Sequence, residues 1–260
     1  MVIGRQHLIL KENSINSSLT LSVGNHFVSI SILDTSSQEL LLSKHKNFKN
    51  FVKTELLDSE IDIFLNENNV NDFNVEDVKL IQENDFYVLV PEELYSVKEK
   101  STYLKYNTVI NKDDFICCDD IDQLNLKNVF IPYVNINNYM VDKFKNINYY
   151  HFNSLLIKKA YSNREKDGNF IVYVNEKKIK IIIFNEEGLL FFNSYSIDSN
   201  LDAIYYILLT LKEHELEIIS TQINFIIDCE NSDLISNSKR FFNKIKIIND
   251  RVKINFLNEK

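Results

Sequence analysis

Few of the 260 residues combine type and spacing in a way that suits chemistry. The foremost group is Ser22, Gly24 and Asn25, at the turn Gly24-Asn25-His26 between two alternating segments, Leu19 to Val23 and Val28 to Ile32. A glycine there lets backbone N–H groups approach an anion closely, so the turn reads either as a phosphate cradle or as the bend of a hairpin. Asn175 holds the same place in a second hairpin, and Asp228 ends the apolar run that starts at Ile223. A carboxylate at a strand end can hold a divalent ion, but more often it forms a turn or caps a helix. The acidic cluster Cys117 to Asp122 lacks the spacing and the glycine of a calcium loop and reads as a solvated loop. His7, His26, His45, His151 and His214 are scattered, with no nucleophile beside any of them in a recognisable motif, so a hydrolase triad has no support. Each reads as a surface or turn histidine. Three cysteines, two of them adjacent at Cys117 and Cys118, make neither a disulfide framework nor a zinc spacing.

Composition narrows the classes further. A hydrophobic share of 45% is ample for a core, which sets disorder aside. The net charge of −8 repels phosphate backbones over the chain as a whole, so no nucleic-acid partner is expected. One basic stretch, Lys239 to Lys253, interleaves Lys239, Arg240, Lys244, Lys246, Arg251 and Lys253 with apolar residues. It reads as the solvated face of a terminal helix and strand. The first residues carry no secretory signal, and no apolar run reaches the length of a membrane span, so a cytoplasmic chain is expected.

Apolar periodicity then gives the elements that must position these residues. Leu19, Leu21 and Val23, then Val28, Ile30 and Ile32, alternate as two strands, and Glu39 to Ser43 makes a third. A helical stretch over 48–65 follows, with Phe48, Val52, Leu56, Ile61, Phe64 and Leu65 at its spacing. Phe86 to Val90 reads as the crossover strand, a helix opens at Pro91, and Asn128 to Val134 reads as the next strand. The asparagines of Val134 to Tyr139 are placed to cap the helix that follows. The second half repeats this order. Phe170 to Val174, Ile179 to Phe184 and Gly188 to Tyr195 form a meander, and Ser199 with Asp202 three residues on signals a helix start. Strand, helix and strand follow at 223–228, 232–245 and 252–257. At an offset of 172 − 21 = 151 residues, Leu21 matches Val172, Val23 matches Val174, and Val28, Ile30 and Ile32 match Ile179, Ile181 and Ile183.

Such a doubled unit predicts an α/β chain with a duplicated ribonuclease H-like fold, as in the actin-like ATPases: two lobes with mixed sheets flanked by helices, facing across a cleft. The expected division is a first lobe over 1–150, a connecting helix and hinge loop over 151–168, and a second lobe over 169–260.

The stretches Tyr103 to Thr108, Val129 to Tyr139 and Phe191 to Ile197 resemble a bacterial family of unknown function. Structures similar to that family carry an actin-like ATPase fold, related in shape to the cytoplasmic actin-like proteins of pilus and secretion assembly. The resemblance implies a phosphate-binding turn with an Asp-x-Gly pattern in each lobe. The matching residues are Ser22, Val23 and Gly24 in the first lobe, so the acid is missing, and Tyr173, Val174 and Asn175 in the second, so both are missing. The glycine pair that such proteins use for the adenosine is also absent, since no glycine follows Gly188. No catalytic residue, metal or cofactor is therefore assigned, and Ser22, Gly24, Asn25, Asn175 and Asp228 remain weak cleft candidates. The expected role is a non-catalytic scaffold or adaptor that binds a protein partner, with Tyr149 and Tyr150 as exposed anchors. The alternative is an atypical nucleotide-binding ATPase or a sugar-kinase-like phosphotransferase.

Overall fold

The computed structural model describes residues 15–164, 169–175, 177–227 and 232–248. Its first elements are β1 (Asn16–Gly24), β2 (Phe27–Asp34), β3 (Leu40–Asn47), α1 (Leu57–Glu67), β4 (Asn74–Glu83), β5 (Tyr87–Pro91), α2 (Lys100–Leu104), β6 (Cys117–Ile121) and β7 (Leu126–Phe130). They are followed by α3 (Val134–Lys143), β8 (Asn146–His151), α4 (Phe152–Ser162), β9 (Asn169–Val174), β10 (Lys178–Asn185), β11 (Gly188–Ser196), α5 (Asn200–Glu213), β12 (Gln222–Ile227), α6 (Ser232–Ser238) and β13 (Lys244–Ile248). Tertiary contacts divide the described residues into two units. One holds those up to Asp85 together with Ile131–Tyr150; the other holds Phe86–Phe130 together with those from His151 onward.

In the first unit the sheet order is β3-β2-β1-β4-β8. The β1–β2 hairpin sets Leu19 opposite Ile32, Leu21 opposite Ile30 and Val23 opposite Val28. Because strand side chains alternate, all six reach one face. There they form a core with Leu57, Ile61, Phe64 and Leu65 of α1 and Ile136 and Met140 of α3. In the second unit the order is β11-β10-β9-β12-β13. Phe170, Val172 and Val174 pair with Ile183, Ile181 and Ile179, the same register shifted by 151 residues. Their core partners are Ala203, Ile204, Ile207 and Leu211 of α5 and Leu234 and Ile235 of α6. The duplication read from the hydrophobic register is thus a duplication of sheet order, of cross-strand partners and of the helices that cover them.

Several elements differ from the sequence expectation. The crossover strand of the first sheet is β4, parallel to β1, and not Phe86 to Val90. β4 was hidden by a bulge: Ser17 faces Val75 but Ser18 faces Asp77, so Glu76 is the extra residue. That extra residue puts Val75 and Val78 three apart and breaks the period of two. β5 pairs instead with β7, in a separate three-stranded sheet of order β5-β7-β6. Residues 86–130, placed by the sequence in the first lobe, make their contacts with the second unit. Pro91 ends β5, opposite Leu126, and the first α-helix after it is the five-residue α2. The helix expected over 48–65 starts only at Leu57, after a short 3-10 turn at Thr54–Leu56. On α5 the spacing of Leu201, Ile204, Leu208 and Leu211 predicts one stripe, but Leu201 points outward at 63% exposure and the buried stripe runs through Ala203, Ile204, Ile207 and Leu211. Lys244 and Ile245, read as the end of a helix, open strand β13, and the strand expected over 252–257 lies outside the described residues. Among the described residues no helix is long and apolar enough to cross a membrane.

The helix start at Ser199 is a complete capping box. Ser199 Oγ accepts from the Asp202 backbone N–H, and Asp202 Oδ2 accepts from the Ser199 N–H at 2.8 Å. Ser199→Ala removes the first of these bonds and should lower unfolding stability by about 1 kcal/mol. Urea titration should show a lower midpoint with an unchanged slope.

Candidate functional site

The turn after β1 is bound into its own unit by hydrogen bonds. Asn25 Nδ2 donates to Val52 O at 2.8 Å, and Asn25 Oδ1 accepts from the Tyr133 hydroxyl at 2.7 Å. The backbone carbonyls of Asn25 and His26 accept from Val52 N and Phe48 N. Phe48 and Val52, read from the sequence as helical, are extended or irregular here because their N–H groups serve the turn. Gly24 has no positive φ, and neither do Asn25 and His26. The glycine is needed for closeness: an added Cβ would lie 3.1 Å from Phe27 Cε1 and 3.2 Å from Glu83 O. Both distances are tighter than ordinary van der Waals contact, so the glycine is explained by packing within the sheet.

Ser22 is buried, with Ser29 across the hairpin and Ile81 beside it on β4. Thr20 faces Ser31 two residues away, so the face of the sheet opposite the core carries two cross-strand pairs of buried hydroxyls. The position matched to a magnesium-holding acid is therefore one of a row of neutral hydroxyls.

Beyond the turn, the end of β4 organises the start of α3. Gln82 is fully buried; its Oε1 accepts from Tyr133 N at 2.6 Å and its Nε2 donates to Asn137 Oδ1. Asn135 Nδ2 donates to Thr54 O at 2.8 Å. No side chain caps the helix, so the asparagines expected as caps tie α3 to the sheet and to the loop before α1 instead. The Tyr133 hydroxyl donates to Asn25 Oδ1 and lies 3.0 Å from Glu83 O. Burial, with the nearby Glu83 and Asp85 carboxylates, pushes this phenol well above the usual tyrosine range. Tyr149 and Tyr150, expected as exposed anchors, are both half-buried, Tyr149 against the core and Tyr150 beneath the Lys79 ammonium.

In the second unit Asn175 is spent on its own hairpin. Its Oδ1 accepts from the N–H groups of Lys177 and Lys178 at 2.9 and 2.7 Å, and its backbone N–H donates to Lys178 O. Asp228 lies outside the described residues. Lys244 and Lys246 of the basic stretch are exposed on β13, whereas Arg251 and Lys253 lie outside the described residues.

A polar cluster that the sequence did not single out is buried in the second unit. The stretch read as an acidic loop is strand β6, with Asp119 turned inward and Asp120 paired to Lys127 at 2.8 Å. His151, read as a surface or turn residue, is wholly buried between Tyr87 and Phe130 and caps α4 by accepting from Asn153 N at its Nδ1. Asp119 Oδ2 accepts from His151 N at 2.8 Å, and Asn128 Nδ2 donates to Ser154 Oγ at 2.8 Å. Lys180 of β10, also buried, donates to Asn153 Oδ1 at 2.6 Å and lies 4.8 Å from the Phe152 ring centroid. The only available signal was the alternation of Asp119 and Ile121 with their neighbours on a five-residue strand, too short to read. With Asn128, His151, Asn153 and Ser154 all at 0% exposure, this cluster joins elements and offers no access to a substrate. Among the described residues no group of three or more His, Cys, Asp and Glu side chains could hold a metal ion.

Tyr133→Phe removes the hydroxyl that holds Asn25 and leaves its Oδ1 without that donor. The expected cost is roughly 1–3 kcal/mol of unfolding stability. An unchanged urea midpoint would show that the phenol does not fix the turn.

Solved structures similar to this chain share its architecture at low identity. A Bacteroides thetaiotaomicron VPI-5482 protein with actin-like ATPase fold and unknown function is 18% identical, over 94% of this chain and 96% of that one, at a TM-score of 0.76. The PilM-PilN type IV pilus biogenesis complex matches at 8% identity over 89% of this chain and 88% of that one, with a TM-score of 0.59. The ethanolamine utilization protein EutJ from Carboxydothermus hydrogenoformans matches at 7% identity over 92% and 86%, with a TM-score of 0.52. Among curated proteins none matches the sequence. Residues 9–245 match the family described as protein of unknown function DUF3822; the chain belongs to that family and has the actin-like ATPase fold.

Proposed function

We propose that this chain is a non-catalytic actin-like scaffold or adaptor that works in the cytoplasm by binding a protein partner. The observation that carries the reading is the state of the two hairpin turns. Where an actin-like ATPase needs an acid and free backbone donors, this chain has Ser22 and an Asn25 amide engaged by Val52 and Tyr133. In the second repeat the equivalent Asn175 closes its own turn. A magnesium-bound triphosphate carries several negative charges and needs both a cation and donors to offset its lost hydration. At the matched positions no acid stands to hold the metal, and the Asn25 side-chain amide and the Lys177 and Lys178 backbone N–H groups are already engaged within the turns.

Partner binding is supported by one comparison: PilM, of the same fold, occurs in a complex with PilN. In this reading the two repeats occupy 1–150 and 169–260, with 151–168 as their connector. Residues 86–130 are an insertion in the first repeat, available for family-specific contacts. Leu94, Val97, Tyr106, Val109 and Phe115 of that insertion are each more than half exposed, whereas Tyr149 and Tyr150 are not.

Thermal unfolding with and without ATP and magnesium tests the reading. At a ligand concentration 100 times its Kd, a nucleotide binder gains about 2.7 kcal/mol. For a chain of this size that raises Tm by roughly 5–10 °C. No shift at millimolar ATP is expected. A shift of several degrees, abolished by chelating the metal, would favour the nucleotide-using alternative, and phosphate release above background would overturn the non-catalytic reading.

A further inference from the structure

Asp119 and Asn128 are direct cross-strand partners in the β6–β7 pair, so their side chains stand side by side on the same face. That face meets the start of α4. Asn128 Nδ2 is used by Ser154 Oγ, but Asn128 Oδ1 is fully buried and accepts no hydrogen bond. An unmatched buried acceptor is costly, and the side chain directly opposite is a carboxyl group, which gains a donor when it takes up a proton. Asp119 is only 9% exposed, and it meets the start of α4 twice, at the N–H of its cap residue His151 and at the Ser154 hydroxyl.

We infer that Asp119 is a proton-binding site: as the neutral acid it supplies the donor that Asn128 Oδ1 lacks and holds the three-stranded sheet on α4, and its ionisation loosens that joint.

The surrounding charges are consistent with this. Burial pushes the Asp119 carboxyl up to about 6, and Asp120 on the same strand adds to the rise. The Ser154 and His151 hydrogen bonds and the Lys158 charge on α4 act in the opposite sense without cancelling it. Asp120 is itself held by Lys127 of β7, and the buried Lys180 of β10 ends at Asn153 Oδ1, on the residue next to Ser154. His151 is the other group here that can take up a proton. Its Nδ1 accepts from Asn153 N, so a proton at that nitrogen would break the cap of α4. The two groups therefore respond to acid with opposite signs.

For Asp119 the folded value lies above the ordinary 3.8, so the folded state binds more protons between these limits. Stability is then fully present below about pH 4 and is lost as pH rises to about 6, with the unfolding constant growing up to about ten-fold per pH unit in that window. In the full chain labelled with carboxyl-carbon-13 aspartate, Asp119 should titrate with a midpoint near 6, and protection of the His151 amide from exchange should fall over the same range. Asp119→Asn, whose amide donates at every pH, should abolish that dependence while keeping the acidic-pH level of protection. An Asp119 midpoint at or below the ordinary carboxylate value would overturn the inference, as would an Asp119→Asn variant with the wild-type pH slope. The labelled wild-type measurement decides the matter if the variant does not fold.

Discussion

The parallel contact of the first strand of each repeat with its crossover strand, β1 with β4 and β9 with β12, is the constraint from which most of the architecture follows. Parallel neighbours cannot be joined by a tight turn, so the chain must leave the sheet and return, and the return path buries one face of it. In the first unit that path runs through α1, in the second through α5, and both supply the apolar side chains that meet the hairpin residues. The remaining strands then have few places to go. A meander extends the sheet on one side, and a further strand, β8 or β13, extends it on the other.

What the sequence exposed was whatever kept a strict period. The two opening hairpins alternate without interruption, and the side chains that match at an offset of 151 residues are cross-strand partners in both sheets. The capping box at α5 was equally visible because a serine and an acid three residues apart have few other reasons to precede an apolar stripe. β4 was lost to one inserted residue, Glu76, which no count of alternation can absorb. That residues 86–130 make their contacts with the second unit was not legible, because their strands read as ordinary apolar runs and periodicity carries no information about which sheet a strand joins. The candidate residues fared similarly. Gly24 stood out in a glycine-poor chain, but only its distances to Phe27 and Glu83 explain it. Tyr133 and Gln82, which organise that corner, are single residues without a motif.

The two repeats differ in character on the sheet face turned away from each unit's own core. In the second unit that face is apolar and receives α4: Tyr173 packs on Phe152, Phe184 on Tyr161, and Lys180 reaches Asn153. A lysine can be accommodated there because its ammonium lies over the Phe152 ring and donates to the Asn153 amide oxygen. The polar joint around Asp119 sits at the same helix, where its N-terminal N–H groups need acceptors. One helix thus anchors both the five-stranded and the three-stranded sheet of its unit.

In the first unit the corresponding face bears Thr20, Ser22, Ser29 and Ser31. Each hydroxyl carries one donor and two lone pairs on a freely turning bond. Such a group can donate or accept by rotating its proton alone, with no heavy atom displaced and no charge moved. Because serine and threonine both keep that donor and acceptor, exchange of one for the other along this row changes volume more than it changes chemistry.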